Sequence, residues 1–206
     1  MRRRLNLVHP SGGLFKKGRP RVSRMQVKIS GFGGQGIVLA GIVIARAAGL
    51  HDKKHVTQTQ SYGPEARGGA CASEIVISDE RVDYPLVEEA DVLACMSQEA
   101  LSRYVSTLKK EGTLLIDPDL VHEIPQVPRI RIYKIPATRI ATNELGRKIV
   151  ANMVMLGSLV GITRLSTTKA VREAVRESVP QGTEDLNLKA LQKGIDLARE
   201  LADEIV

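Results

Sequence analysis

The chain has 206 residues, enough for one domain with a proper core, and its 43% hydrophobic content is ordinary for a globular protein. Its net charge of +7 misleads. Residues 1–24 hold Arg2, Arg3, Arg4, Lys16, Lys17, Arg19, Arg21 and Arg24 and no acid; setting those 8 aside from 30 basic residues leaves 22 against 23 acids. The remaining domain is therefore near neutral, which speaks against a nucleic-acid-binding surface. With 2 Phe, 4 Tyr and no Trp there is also little aromatic area on which single strands could stack. No apolar run reaches membrane-spanning length, and no signal-peptide core is present.

Pro10, Pro20 and three glycines make residues 1–24 a basic leader expected to be disordered. Three readings of it are open: an arm for an acidic surface, an Arg-rich targeting peptide, or a start site placed too early, with Met25 the true beginning. The last is our expectation, because Met25 falls one residue before the first strand.

That strand is predicted over 26–30, with Val27 and Ile29 apolar, and a helix follows over 35–48. Between them stands Gly31-Phe32-Gly33-Gly34-Gln35-Gly36. Glycines at a strand-to-helix turn let bare N–H groups face an anion at the helix N-terminus. Gly31, Gly33 and Gly36 match the G-x-G-x-x-G of dinucleotide-binding folds, but the acid expected at the end of the next strand is missing. Asp52 lies before that strand, predicted over 54–59, which ends in Gln58-Thr59-Gln60-Ser61. This argues against a nicotinamide site. Gln35 could orient a ligand or cap the loop.

A second glycine-rich segment, Ser61-Tyr62-Gly63-Pro64-Glu65-Ala66-Arg67-Gly68-Gly69, carries one acid and one base. Glu65 and Arg67 could pair with each other or with another chain, but an exposed pair of that kind is worth only about 0–1 kcal/mol. A ligand or a second subunit is the better reason for so much glycine.

Further strands are predicted over 71–78, with a hairpin partner over 81–84, then over 91–96, 113–116 and 131–135. A helix is expected over 98–110, stopped by Gly112 and capped by Ser97. Asp117-Pro118-Asp119 reads as a turn device more readily than as a Mg²⁺ site. From Ala137 the chain turns helical: an almost wholly apolar stretch over 152–162, a helix over 167–178 capped by Ser166, and a closing amphipathic helix over 187–205. Strands alternating with helices define a single-domain, Rossmann-like open α/β sheet, mostly parallel, with C-terminal helices. No repeat or second domain is visible.

Cys71 and Cys95 are the only cysteines. Two cysteines cannot hold a cluster or a structural zinc, so both are expected as buried thiols in a reducing, cytoplasmic compartment; a disulfide between them stays open. His51 and His55 are an isolated i, i+4 pair expected to be solvated. No metal site and no catalytic residue are assigned.

Taken together, the segments 31–36, 58–69, Asp83-Tyr84-Pro85 and Asn152-Met153-Val154-Met155-Leu156-Gly157 resemble the gamma subunit of 2-oxoacid:ferredoxin oxidoreductases. The resemblance runs from about Met25 to the C-terminus, and residues 59–70 look most like the 2-oxoglutarate type rather than the pyruvate or ketoisovalerate type. It implies a share in a thiamine-diphosphate enzyme that converts a 2-oxoacid and coenzyme A to acyl-CoA and CO₂ while reducing ferredoxin. It also implies alpha and beta partner subunits, with a delta subunit in some members. Those partners are expected to carry thiamine diphosphate, Mg²⁺ and iron–sulfur clusters. The chain itself has no Gly-Asp-Gly segment and no cysteine sets, so it is expected to bind no cofactor alone and to be inactive alone. The candidate contacts for coenzyme A or another anionic group are Gly31, Gly33, Gly34, Gln35, Gly36, Ser61, Tyr62, Glu65, Arg67, Gly68 and Gly69. Two rival readings remain: a purely structural assembly subunit, and a free-standing nucleotide-binding oxidoreductase.

Overall fold

The computed structural model describes residues 24–62 and 69–203, without the side chains of Tyr62 and Asp203. The basic leader before Arg24 lies outside the described residues. Arg24 itself does not belong to that leader: it opens the first strand, paired with Ser78.

Six strands form one sheet: β1 (Arg24–Phe32), β2 (His55–Tyr62), β3 (Ala70–Ser78), β4 (Ala90–Cys95), β5 (Leu108–Ile116) and β6 (Arg131–Lys134), in the order β2-β3-β1-β4-β5-β6. β1, β4, β5 and β6 pair in parallel, and β3 runs antiparallel to both its neighbours. β2 therefore points the same way as β1, and only β3 is reversed. The parallel strands read as near-continuous apolar runs because both faces are covered. Val27, Ile29, Val92 and Ala94 enter one core with helices α1 (Ile37–Arg46), α3 (Ala137–Asn143), α4 (Ala151–Thr163), α5 (Thr168–Ser178) and α6 (Glu184–Asp203). Leu93, Cys95, Leu114 and Ile116 enter a smaller core on the other face, under α2 (Gln98–Tyr104).

α4 is buried almost all round, as its apolar stretch requires. It packs so closely on α6 that a methyl group at Gly157 would overlap the Leu191 carbonyl, and one at Gly194 the Val154 carbonyl. A methyl group at Gly161 would stand 2.5 Å from Ala198 Cβ. The Ser158 hydroxyl ties the pair by donating to the Gly194 carbonyl at 3.1 Å.

Several expectations need correction. Residues 81–84 form no strand. β3 lies between β2 and β1, so it has no free edge to offer a hairpin partner, and Pro85 lacks a ladder donor. The segment instead packs Val82 and Val87 on Val76. The helix after Ser97 ends at Tyr104; a single 3₁₀ turn (Val105–Thr107) follows, and the Thr107 hydroxyl donates to the Tyr104 carbonyl at 2.7 Å. Gly112 thus lies inside β5, beside Glu111 at φ 67°, in a strand whose register with β4 shifts. α1 begins at Ile37, because Gln35 is used in the loop before it, and a π-helical turn (Ala47–His51) closes it. α6 begins at Glu184, three residues before the expected start at 187.

Ser166 is not the cap of α5. Thr167 is, its Oγ1 accepting from Ala170 N at 3.2 Å. Ser166 donates instead to Asp52 Oδ2 at 2.6 Å, and Asp52 also accepts the backbone N–H and the hydroxyl of Thr167, each at 2.7 Å. The acid that precedes β2 is therefore a clasp between the end of α1 and the start of α5. Ser97 does cap α2, accepting from Ala100 N at 3.2 Å.

Candidate functional site

The carboxyl ends of β1, β4, β5 and β6 are aligned by register. Ser30 stands opposite Cys95, Cys95 opposite Ile116, and Ile116 opposite Lys134. From β1 the chain departs to α1 and β2 on one side, while β4 lies on the other side. The crevice between β1 and β4 is thus the switch point at which open α/β sheets take ligands.

The β1–α1 loop fills the mouth of this crevice. Gly34 (φ 93°) and Gly36 (φ 73°) adopt left-handed backbone that other residues rarely reach. Gly31 is close-packed: a methyl group there would overlap Gln35 Oε1. Gln35 is the loop's internal cap. Its Oε1 accepts from Phe32 N at 2.6 Å, and its Nε2 donates to the Met96 carbonyl at 2.9 Å. Of the two roles open to Gln35, the structure shows capping, with both ends of the amide engaged. Among the described residues the N–H groups of Gly33, Gly34 and Gly36 meet no protein acceptor. Asn152, at the start of α4, holds the loop from behind, with Nδ2 donating to the Gly36 carbonyl at 3.1 Å.

A cavity of about 250 Å³ opens beside Gly34 and Gln35, walled by Met96, Thr138, Lys148, Ile149 and Ala151. Lys148 is exposed at its rim. Free N–H groups, left-handed glycines and a lysine are donor chemistry of the kind that anions use at loop and helix N-termini. Nothing in the sequence pattern marked Lys148 or Thr138, because the topology alone brings them here from residues far along the chain.

The second glycine-rich segment converges on the same edge only in part. Ser61 and Tyr62 belong to β2, not to a loop, and stand opposite Ala72 and Cys71; Cys71 in turn stands opposite Gly31. Gly69 is half-buried just before β3. Glu65, Arg67 and Gly68 lie outside the described residues.

Other candidates resolve as structural. Asp117, fully buried, accepts from Asp119 N at 3.1 Å and Thr138 N at 2.8 Å, and Asp119 pairs with Arg139 at 3.2 Å. The turn reading of these acids holds. Among the described residues no cluster of three or more His, Cys, Asp or Glu could hold a metal. His51 is not simply solvated: it faces Glu177 of α5 at 3.3 Å. Cys71 and Cys95 are free thiols that enter the cores on opposite faces of the sheet, which removes the disulfide. Burial pushes the Cys71 thiol up, against a backbone hydrogen bond. Burial pushes Cys95 up to about 12, opposed by the Ser30 hydroxyl at 3.2 Å and the nearby Lys28 charge. Neither is a reactive thiolate at neutral pH. No helix among the described residues is long and apolar enough to cross a membrane.

These features define a class: an open α/β protein with a glycine loop of unpaired N–H groups at its switch point and no metal cluster among the described residues. Residues 26–197 match the family described as pyruvate ferredoxin/flavodoxin oxidoreductase. The chain belongs to that family. It is 51% identical to the 2-oxoglutarate synthase subunit KorC of Methanocaldococcus jannaschii over 86% of this chain and 96% of the relative. The gamma subunit of a keto/oxoacid ferredoxin oxidoreductase from Geobacter sulfurreducens has the same fold, with TM-score 0.80 and 41% identity over 87% of this chain and 98% of that one. A 2-oxoglutarate:ferredoxin oxidoreductase from Magnetococcus marinus, solved with 2-oxoglutarate, coenzyme A and succinyl-CoA bound, shares the fold alone: 22% identity, TM-score 0.75, over 87% of this chain and 32% of that one.

Proposed function

We propose that this chain is the gamma subunit of a 2-oxoglutarate:ferredoxin oxidoreductase and forms the coenzyme A side of its active centre. The assembled enzyme converts 2-oxoglutarate and coenzyme A to succinyl-CoA and CO₂, and the two electrons released pass to ferredoxin. The observation that carries the substrate is the 51% identity to a 2-oxoglutarate synthase subunit across 96% of that relative's length. Thiamine diphosphate with Mg²⁺, and the clusters that relay electrons, belong to alpha and beta subunits, with a delta subunit in some assemblies. This chain's own part is to bind and orient. The N–H groups of Gly33, Gly34 and Gly36 receive an anionic group of coenzyme A, and Lys148 adds charge at the rim. Arg67, two residues before Gly69, supplies a further guanidinium suited to phosphate. Glu65 serves the subunit interface.

The test is gentle, oxygen-free co-purification from the native host with a C-terminal tag. Companions that carry thiamine diphosphate and clusters, and that reduce ferredoxin with 2-oxoglutarate and coenzyme A, are the expected outcome. A chain recovered alone that binds a nucleotide by itself would revive the free-standing oxidoreductase. A loop variant that assembles and retains an unchanged KM for coenzyme A would leave only the structural-subunit role.

A further inference from the structure

Residues 79–89, between β3 and β4, include Asp83-Tyr84-Pro85 and form no helix or strand. They lie at the amino ends of β1 and β4, the opposite end of the sheet from the glycine loop. The segment leaves β3 at Ser78, which stands opposite Arg24, and enters β4 at Ala90. Packing and two hydrogen bonds pin it as a strap. Val82 and Val87 pack on Val76, the Val87 N–H donates to Glu74 Oε2 at 3.4 Å, and the Thr57 hydroxyl donates to the Pro85 carbonyl at 3.4 Å.

Held this way, the strap leaves Tyr84 48% and Leu86 46% exposed. Thr57 belongs to β2, an edge strand with β3 as its one neighbour, and β2 contains no Pro, Lys, Arg, Asp or Glu. An edge without such residues is open to pairing. The strap is also acidic. Asp79, Glu80, Asp83, Glu88 and Glu89 are all exposed, against Arg81 alone. Lys54 pairs with Asp79, and Arg81 meets Asp83 at 3.5 Å. Among the described residues Glu80, Glu88 and Glu89 have no ion-pair partner.

A tyrosine and a leucine set among unpaired carboxylates fit an apolar segment flanked by cations. An isologous contact with a second copy would set like charge against like. The chain itself carries a segment of the right kind. Leu14-Phe15-Lys16-Lys17-Gly18-Arg19-Pro20-Arg21 joins two apolar residues to four cations, and no acid occurs in residues 1–23. Its point of attachment is beside the strap, because Arg24 pairs with Ser78 and Asp79 follows at once. Reach is sufficient: nine residues from Arg24 back to Phe15 span up to about 30 Å, while Tyr84, six residues past Ser78, lies within about 20 Å of it, plus about 5 Å between strands.

We propose that residues 14–21 dock on this strap, with Leu14 and Phe15 over Tyr84 and Leu86 and the four cations among Glu80, Asp83, Glu88 and Glu89. The basic leader is then an arm for an acidic surface of its own domain, and it shields the neighbouring edge of β2. The proposal takes this reading over a start at Met25, because β1 already begins one residue earlier, at Arg24. Tethering gives the arm a high effective concentration without a strong contact. The inference does not depend on the coenzyme A reading.

The experiment uses the full chain purified from its native host, with intact mass establishing its first residue. Carbodiimide joins carboxylates to amines in direct contact. It is expected to link Lys16 or Lys17 to the strap acids within one chain at low salt and to lose those links at about 1 M salt, where the Debye length is about 3 Å. Amide exchange across 79–89 should be at least about threefold slower in the wild type than in a full-length variant carrying Lys16→Glu, Lys17→Glu, Arg19→Glu and Arg21→Glu, the scale of one exposed ion pair. Each of four results overturns the proposal: a native chain that begins at Met25, equal exchange in the two proteins, strap links only between isotopically light and heavy copies, or strap links only to another protein.

Discussion

Gly34 and Gly36 share positive φ but differ in surroundings, and that difference predicts unequal costs for the same substitution. At Gly34 a methyl group would meet nothing within 4 Å, so Gly34→Ala carries only the left-handed backbone cost of about 1–2 kcal/mol. At Gly36 the methyl group would overlap the Asn152 amide, whose Nδ2 holds the Gly36 carbonyl. Asn152 must swing away, although its Oδ1 already lacks a partner. Leaving the displaced amide unsatisfied adds about 1–3 kcal/mol, for a total of about 2–5 kcal/mol. Equilibrium urea unfolding of the purified chain, followed by circular dichroism, reads both values. Asn152→Ala removes the obstacle, so Gly36→Ala combined with Asn152→Ala should cost about 1–3 kcal/mol less than the two singles summed. Equal costs at Gly34 and Gly36, or additivity within about 0.5 kcal/mol, would refute the claim that Asn152 braces the loop.

Lys148→Ala should raise the KM for coenzyme A about fivefold with kcat unchanged, the effect of one exposed charge worth about 1 kcal/mol, and added salt should shrink the difference. An unchanged KM at low salt removes Lys148 from the anion site. Cys95, with its pKa raised to about 12, should resist iodoacetamide at pH 8 while the fold is intact and react once it unfolds. Because the folded thiol holds its proton more tightly than the unfolded one, its contribution is fully present below the ordinary thiol pKa near 9 and is lost as pH rises toward 12. A Cys95→Ala variant with the same alkaline stability slope as the wild type contradicts this. Lys28 and Glu74 pair at 3.1 Å with side chains 4% and 12% exposed, and Lys28 stacks 5.1 Å from the Tyr104 ring centre. Lys28→Met alone strands the carboxylate and should cost about 3–5 kcal/mol, whereas Lys28→Met with Glu74→Gln should recover much of that loss in thermal melts; equal losses would show the pair uncoupled.

What the residues revealed followed the range of the forces involved. Strand-to-helix alternation and the buried runs of β1, β4 and β5 were legible because period and apolarity act locally. The glycines at 31–36 were legible for the same reason, since left-handed backbone restricts residue choice at each position. The failures share another cause. Residues 81–84 have the composition of a strand, and only the sheet order shows that β3 has no edge left for them. Ser166 and Thr167 are equally good caps by composition; Asp52, 114 residues from Ser166, decides between them. Lys148 and Asn152 reach the loop only because α4 packs beneath α1, at a sequence separation of 116 residues between Asn152 and Gly36.

The state of Gln35 bears on how the site works. Had its amide been free, the loop would have offered a ligand a flexible side-chain donor that must be ordered on binding. With Oε1 on Phe32 N and Nε2 on the Met96 carbonyl, Gln35 instead ties the end of β1 to the end of β4. Asn152 fixes the other end of the same loop. The glycine N–H groups between these two ties are oriented by the protein alone, so an anion binding there as proposed would lose little ordering entropy. Backbone N–H groups cannot tell one phosphate from another, so in the proposed site selectivity would have to come from the side chains around the loop, Lys148 at the cavity rim among them.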